Sequence, residues 1–410
     1  MRILWTSTPM EGVFLPFVPV ASALRDRGHE LLVAAGPDVA ARVAESGYEH
    51  RVVGPPAMDA AVQAFADPAI ASADGAGPAF GAAMFGSVFA PALLPEIRRV
   101  ADEFDPAVIV HPAVEASGPI VAAQRAVPSV TYGFAQPIAP EMVRALAERV
   151  APLWTGAGLD ADPHGGIYRD LYLDPCPPAL RLDDRTAPCP VQPVRPESAG
   201  AAGGVLPEGI AGLGGRPVVY VSLGTVPLFS QMQTFSVLLD ELARADVDVV
   251  VTVGPHNDPA QLADQPRNVY VERWLPLAPL LDVTDTVVCH GGSGTTLAAL
   301  GAGRPLVLVP QGADQFENAT ACERAGAALV LAPGAVDAQS VRRAVEEVLA
   351  PGSGQRTAAL RIAREIATMP DTAAAAEAIE QLVDDRNQEP QRRAPQSGSR
   401  ASANQRPARE

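Results

Sequence analysis

The chain of 410 residues contains no lysine; all 31 of its basic residues are arginine. That absence excludes two large classes at once. A Walker-type phosphate loop needs a lysine on the phosphates, and a Schiff-base enzyme needs a lysine amine. Cysteine is scarce as well. Cys176, Cys189, Cys289 and Cys322 form no CxxC pair and show no metal-ligand spacing. Cys176 and Cys189 share a proline-rich stretch where pairing is open, but free thiols are the expectation for a long chain without an export signal. Met1-Arg2-Ile3-Leu4-Trp5 turns polar at Thr6, too short for a signal-peptide core, and no run approaches the ~20 apolar residues of a membrane span. A soluble cytoplasmic protein is expected. Aromatic residues make up 5% of the chain, so its cores must be built mostly from Ala, Val and Leu.

What is abundant is negative charge, with a formal net of −16. Such a surface repels phosphate backbones and anionic lipid, so neither nucleic acid nor a membrane is expected as partner. An anion site would have to be made from backbone amides and a few chosen side chains. The length exceeds that at which single cores stop growing, so two domains are the default.

The chain order supports an α/β protein. Ile3-Leu4-Trp5 is followed by a Pro/Gly loop, Pro9 to Gly12, then a helical pattern from Phe14 to Arg27 stopped by Gly28, then Leu31-Leu32-Val33. Val108-Ile109-Val110, a helix to Arg125 and Val127 to Tyr132 continue the rhythm. Between them, residues 74–98 are Gly- and Ala-rich, with Phe80, Met84, Phe85 and Phe89 at helical spacing. Core packing and the wall of an apolar ligand pocket are equally open readings there. Residues 174–215 are loop-like and rich in proline, and mark an interdomain boundary. The pattern restarts at Pro217 to Ser222, and Val247 to Val253, Thr286 to Cys289, Pro305 to Val309 and Ala327 to Leu331 follow as strands. Strands alternating with helices imply parallel, doubly wound sheets.

The segment 285–303 carries the clearest chemistry. A buried strand ends in Cys289 and His290, Gly291-Gly292-Ser293-Gly294 forms a tight loop, and a helix begins at Thr295. Strand, glycine loop and helix aim free backbone amides at an anion, and glycine lets phosphate oxygens approach closely. Ser293 and Thr295 add hydroxyls, and His290 is placed to donate to a phosphate oxygen. Trp274-Leu275-Pro276 lies upstream, while Gln311, Asp314 and Gln315 follow the next strand on the same sheet edge.

The order Val221-Ser222-Leu223-Gly224-Thr225, Arg273-Trp274-Leu275-Pro276, His290 to Thr295 and Pro310-Gln311-Gly312-Ala313-Asp314-Gln315 resembles the donor half of family-1 glycosyltransferases. The likeness is greatest to bacterial enzymes that attach deoxysugars to antibiotics and other secondary metabolites. Arg25-Asp26-Arg27-Gly28-His29-Glu30 extends it to the N-terminal half, so it covers about residues 1–385. The resemblance implies a GT-B fold, with two Rossmann-like domains facing each other across a cleft. It places an acceptor domain at 1–200, a linker at 201–215, a donor domain at 216–365 and a closing helix at 366–384, while the Gln/Arg/Pro/Ser-rich composition reads as a disordered tail at 385–410. It implies a nucleotide diphosphate sugar as co-substrate, with no metal or other cofactor. Trp274 and Leu275 would frame the base, and His290, Gly291, Gly292, Ser293, Gly294 and Thr295 would hold the diphosphate. Asp314 and Gln315 would bond sugar hydroxyls, with Ser222, Gly224, Thr225 and Gly12 approaching from the facing loops. The acceptor would be an apolar natural product, and a homodimer is left open. Asp246-Val247-Asp248 has the DxD form of metal-dependent transferases, but at the mouth of a strand it reads as solvated edge charge.

The pattern departs at the acceptor side. The family's general-base histidine falls at Val13, in Gly12-Val13-Phe14-Leu15-Pro16, and its supporting aspartate falls at Pro112. His111 and Glu11 are the substitute bases the sequence offers. An acceptor acidic enough to need little help, or a non-catalytic auxiliary protein that only binds the nucleotide sugar, are the competing readings. A hydrolysing nucleotide-sugar epimerase on the same fold is the enzymatic alternative. The loop after Leu4 lacks GxGxxG, which disfavours a dehydrogenase.

Overall fold

The computed structural model describes residues 1–67, 70, 78–182, 185–197, 204–227, 229–262 and 264–393. Two parallel sheets are built from strands β1 (Arg2–Thr6), β2 (Glu30–Ala35), β3 (Glu49–Val52), β4 (Val108–Pro112), β5 (Ser129–Tyr132), β6 (Leu171–Asp174), β7 (Val191–Pro193), β8 (Val218–Ser222), β9 (Asp248–Thr252), β10 (Val269–Glu272), β11 (Thr286–Cys289), β12 (Leu306–Leu308) and β13 (Ala328–Val330). The first sheet runs β3-β2-β1-β4-β5-β6-β7 and the second β10-β9-β8-β11-β12-β13. Both therefore reverse strand order beside their first strand, the arrangement that opens a crevice at the carboxyl edge. The α/β, two-domain expectation is met. The strands β3, β6, β7 and β10 are additions to those read from the sequence.

Each sheet is covered on both faces. In the first domain Leu4, Ile109, Phe89, Leu93 and Ile97 pack on one side, and Ile3, Trp5, Phe14, Phe17, Val108 and Val110 on the other. The Trp5 ring stacks on Phe14 at 4.5 Å and meets Phe17 edge-on at 4.8 Å, which anchors the start of the first helical segment. That segment begins at Glu11, passes through a 3₁₀ turn at Leu15–Phe17 and resumes as Val18–Asp26, so the loop after β1 ends at Met10 rather than Gly12.

A continuous helix from Pro78 to Phe104, with a π-helical stretch at Ala83–Phe89, resolves the reading of residues 78–98. Met84 and Phe89 are buried in the core, and Phe80 and Phe85 lie half-buried against it. Residues 74–77 lie outside the described residues. By length and composition Ala79–Phe104 is apolar enough to cross a membrane, contrary to the reading of the sequence. Here it is a core helix, with just over half of its most apolar 18-residue window buried inside the domain.

The chain ends by crossing between the domains. The helix Gly354–Thr368 buries Ala359, Ile362 and Ile366 in the second domain. After Pro370 the helix Thr372–Arg393 inserts Ala375, Ala376, Ile379 and Val383 into the first-domain core. Arg27 Nη2 and His29 Nε2 each reach the Glu380 carboxylate at 2.6 Å. Hydrogen bonds from Arg27 and His29 hold the Glu380 carboxyl down to about 2. A closing helix is thus present, but it starts at Thr372 and continues to Arg393, which corrects a tail beginning at 385. Residues 394–410 lie outside the described residues, as do 201–203 of the expected linker. All four cysteines are free.

Candidate active site

The carboxyl edge of the second sheet gathers the segments singled out in the sequence. Register places Cys289 beside Ser222, and Ser222 beside Thr252, so the loops that follow β8, β9 and β11 leave the sheet at one level. Gly224 adopts φ +80° and Gly254 φ +86°; a Cβ on Gly254 would lie 2.8 Å from the Gly224 carbonyl. Tyr220, Thr252 and Ser222 form a buried hydroxyl chain, with links of 2.7 Å and 3.2 Å, that fixes the end of β8.

His290 sits where β8 and β11 part. Its imidazole is wedged between two glycines: a Cβ on Gly224 would lie 2.7 Å from both Cε1 and Nε2, and one on Gly292 only 2.5 Å from Nε2. Both positions must therefore be glycine for the ring to occupy this place. Burial pushes the imidazole down to about 4, opposed by the nearby Ser222 carbonyl, so the ring is neutral near pH 7. Its Nδ1 is buried and has no hydrogen-bond partner among the described residues. A polar atom desolvated in this way costs free energy unless something else satisfies it.

Gly292 is the N-cap of the nine-residue helix Ser293–Gly301 and offers no side chain to its first turn. Gly294 is open, with nothing within 4 Å of where a Cβ would stand. Partial positive charge and backbone donors collect at such an end. Gly291 has φ +88°, and a Cβ there would meet the Gln315 carbonyl at 3.1 Å. The glycine loop and the helix start read from the sequence are both present.

The side chains beside it are more committed than the sequence suggested. Ser293 Oγ donates to Asp314 Oδ2 at 2.6 Å and accepts from the Ala135 amide of the first domain at 3.1 Å. Asn318 Nδ2 donates to Asp314 Oδ2 at 3.0 Å and to the Gly291 carbonyl at 2.8 Å. Burial raises the Asp314 carboxyl, against these hydrogen bonds. Gln315 Oε1 accepts from the amides of Gln311 and Gly312, so it braces its own loop. Neither Ser293 nor Gln315 Oε1 is free in this arrangement; Ser293 and Asn318 both bond Asp314 through Oδ2, not Oδ1. Asn318 and Ala135 were not read from the sequence, because their partners lie 25 and 158 positions away.

Trp274 follows β10 and is 51% exposed, whereas Leu275 is buried in the second-domain core. Across the cleft, Glu11 begins its helix beside Arg42, whose Nε lies 3.4 Å from Oε1. Gly12 is exposed and Val13 half-buried next to it. His111 is a different case. On β4 it points to the same face as Ile109, is fully buried, and has Nε2 within 2.9 Å of Ser129 Oγ. Burial pushes its imidazole down. It is closed to an acceptor, which corrects its reading as a base. Past Pro112, Glu115 is a carboxylate the sequence reading overlooked. It accepts from Thr6 Oγ1 at 2.5 Å and from the amides of Ser117 and Gly118 at 2.6 Å and 2.9 Å, capping the helix that starts at Ser117. An acidic residue just before a helix start was the available signal.

Arg216 pairs with both acids of the DxD segment, with exposed Asp246 at 4.0 Å and with Asp248, which is buried rather than solvated.

Residues 22–210 match the N-terminal and residues 236–383 the C-terminal domain model of erythromycin biosynthesis protein CIII-like proteins. The elloramycin glycosyltransferase ElmGT of Streptomyces olivaceus is 34% identical over 347 residues, which span 80% of this chain and 85% of that one. The crystal structure of the glycosyltransferase SnogD from Streptomyces nogalater superposes with a TM-score of 0.77 at 31% identity, covering 93% of this chain and 99% of that one. The spinosyn rhamnosyltransferase SpnG complexed with thymidine diphosphate gives 0.77 at 25% identity, covering 93% and 100%, and SpnG has also been solved with spinosyn aglycone. With this fold, this carboxyl-edge cradle and these relatives, the chain belongs to the erythromycin CIII-like family, GT-B glycosyltransferases of antibiotic biosynthesis.

Proposed function

We propose that the protein transfers a deoxyhexose from a nucleoside diphosphate donor to a hydroxyl of an apolar natural product, with inversion at the anomeric carbon. Thymidine diphosphate is the first donor base to test, uridine the second, because SpnG is seen with thymidine diphosphate. The observation that carries the reading is the buried His290 ring, held between Gly224 and Gly292 with Nδ1 unpartnered beside an uncapped helix N-terminus. A donor diphosphate would satisfy that site. The neutral imidazole would donate one N–H to a phosphate oxygen, and the amides of Gly294 and Thr295 would share the charge that grows on the leaving group. Donors fixed before the reaction need no reorganisation as that charge develops. Trp274 would stack on the base, the Leu275 backbone would bond its edge, and Asp314 Oδ1 would take a sugar hydroxyl. The chemistry calls for no metal and no cofactor.

The acceptor oxygen would attack from the face opposite the diphosphate. Of the two bases named from the sequence, Glu11 is the one not fully buried, and we assign it that role; general-base help contributes about 10²–10⁴-fold. The auxiliary reading loses support, since the relatives matched over most of the chain are transferases. Nucleoside diphosphate release with a panel of thymidine and uridine diphosphate sugars and aromatic or macrolide aglycones tests the proposal. Turnover by wild type and none by His290→Ala supports it. Tight donor binding without turnover on any acceptor would restore the auxiliary reading.

A further inference from the structure

The exposed tryptophan of the donor domain is held by a side chain from the other domain. Arg42, on the helix Ala40–Glu45, places its guanidinium carbon 5.6 Å from the centroid of the Trp274 ring. The guanidinium is itself fixed from two sides, with Nε 3.4 Å from Glu11 Oε1 and Nη1 2.6 Å from Glu45 Oε2. Arg42 and Glu11 are both mostly buried, at 23% and 16% side-chain exposure. Trp274 keeps 51% of its surface, so a cation on one face leaves much of the ring open. A planar, always-charged guanidinium is the group suited to lie on an aromatic face while its edge bonds carboxylates.

We propose that Arg42 is a positioning residue for the donor nucleobase: it backs one face of Trp274 so that the base stacks on the other, and through Glu11 it ties this platform to the acceptor-side helix. The inference rests on Trp274 being the base platform. A ring already held in place loses less freedom when the base arrives, and preorganisation of this kind strengthens binding without adding a contact to the ligand. The effect belongs to the base and not to the phosphates, because Arg42 is tied to Trp274 and two carboxylates rather than to the His290 cradle.

Calorimetric titration of the full chain with thymidine diphosphate and, separately, with inorganic pyrophosphate tests this. Arg42→Ala should weaken thymidine diphosphate about two- to fivefold, the range of an exposed cation–π contact, and leave pyrophosphate unchanged. In a Trp274→Ala background the Arg42→Ala penalty should vanish. Because Trp5 and Trp154 are buried, the fluorescence response to nucleotide should come from Trp274 and should change in Arg42→Ala. Equal or tighter binding of thymidine diphosphate by Arg42→Ala overturns the inference, as does an equal loss for pyrophosphate, which would reveal a general charge effect. Wild type that binds pyrophosphate but gains nothing from the nucleoside would sink the base-platform reading itself. Unchanged pyrophosphate binding also shows that the variant is folded.

Discussion

Adding a single methyl group at Gly292 tests whether the placement of His290 matters. Gly292 has φ −62° and ψ 140°, which alanine adopts without strain, so the substitution acts through its side chain alone. The new Cβ would stand 2.5 Å from His290 Nε2 and 2.8 Å from Cε1. A Cβ on Gly224 would also lie 2.7 Å from these two atoms, so the loops that carry both glycines crowd this edge of the ring. Overpacking of this kind costs about 1–3 kcal/mol when neighbours must shift. For a domain of this size each kcal/mol corresponds to roughly 2–4 °C in Tm. Displacing the imidazole from the diphosphate should remove one preorganised donor, a loss of about 10²–10³ in kcat. Steady-state release of nucleoside diphosphate, with donor and acceptor both varied, measures it alongside a thermal melt. The same change in a His290→Ala background should cost little further activity, since residues acting through one group are not additive. A Gly292→Ala enzyme within twofold of wild type, or one whose full loss persists without His290, would refute the reasoning.

The titration of His290 gives a second test. Its folded value of about 4 lies below the ordinary 6.5, so the unfolded chain takes up the proton first as pH falls. Stability should be fully present above 6.5 and decline by about 3 kcal/mol on going to 4, at roughly 1.4 kcal/mol per unit. Urea melts of wild type and His290→Gln between pH 4 and 7 should differ in slope, the variant being flatter. Glu11→Gln should lower kcat about 10²-fold with little change in donor KM, as expected for a lost base; an unchanged kcat would point to an acceptor that ionises unaided. Ser293→Ala strands the Ala135 amide and removes a donor to Asp314. It should lower stability by about 1–3 kcal/mol, read as a drop in urea midpoint, and equal midpoints would show that the interdomain bond carries no weight.

The fold and the cradle were legible because the strands that build them are apolar runs punctuated by glycine. Those that escaped reading lie away from the middle of the sheets or are broken by proline. The edge strand β3 is Glu-His-Arg-Val and mostly exposed, and β7 is three residues set between prolines. The backbone part of the site, from His290 to Gly294, needs only local sequence, so it could be read directly. Side-chain commitments could not be. Ser293 looked like a phosphate ligand until Ala135 and Asp314 were found on its hydroxyl, and both come from segments distant in sequence. His111 looked open beside the vacated aspartate position, yet strand alternation turns it into the same core as Ile109. The link from Arg42 to Trp274 joins two domains, and no periodicity announces such a contact. Proline-rich composition suggested an early end to the last helix, whereas packing on the first domain anchors its start and it runs on to Arg393.

The central claim is that the His290 cradle holds the donor diphosphate, and nitrogen NMR of the ring tests it most directly. In the free protein His290 should titrate near 4, as burial dictates. Adding thymidine diphosphate should shift its ring-nitrogen resonances and raise its pKa, because a phosphate oxygen favours the protonated ring. Nucleotide that binds while the His290 resonances and pKa stay unchanged would contradict the account.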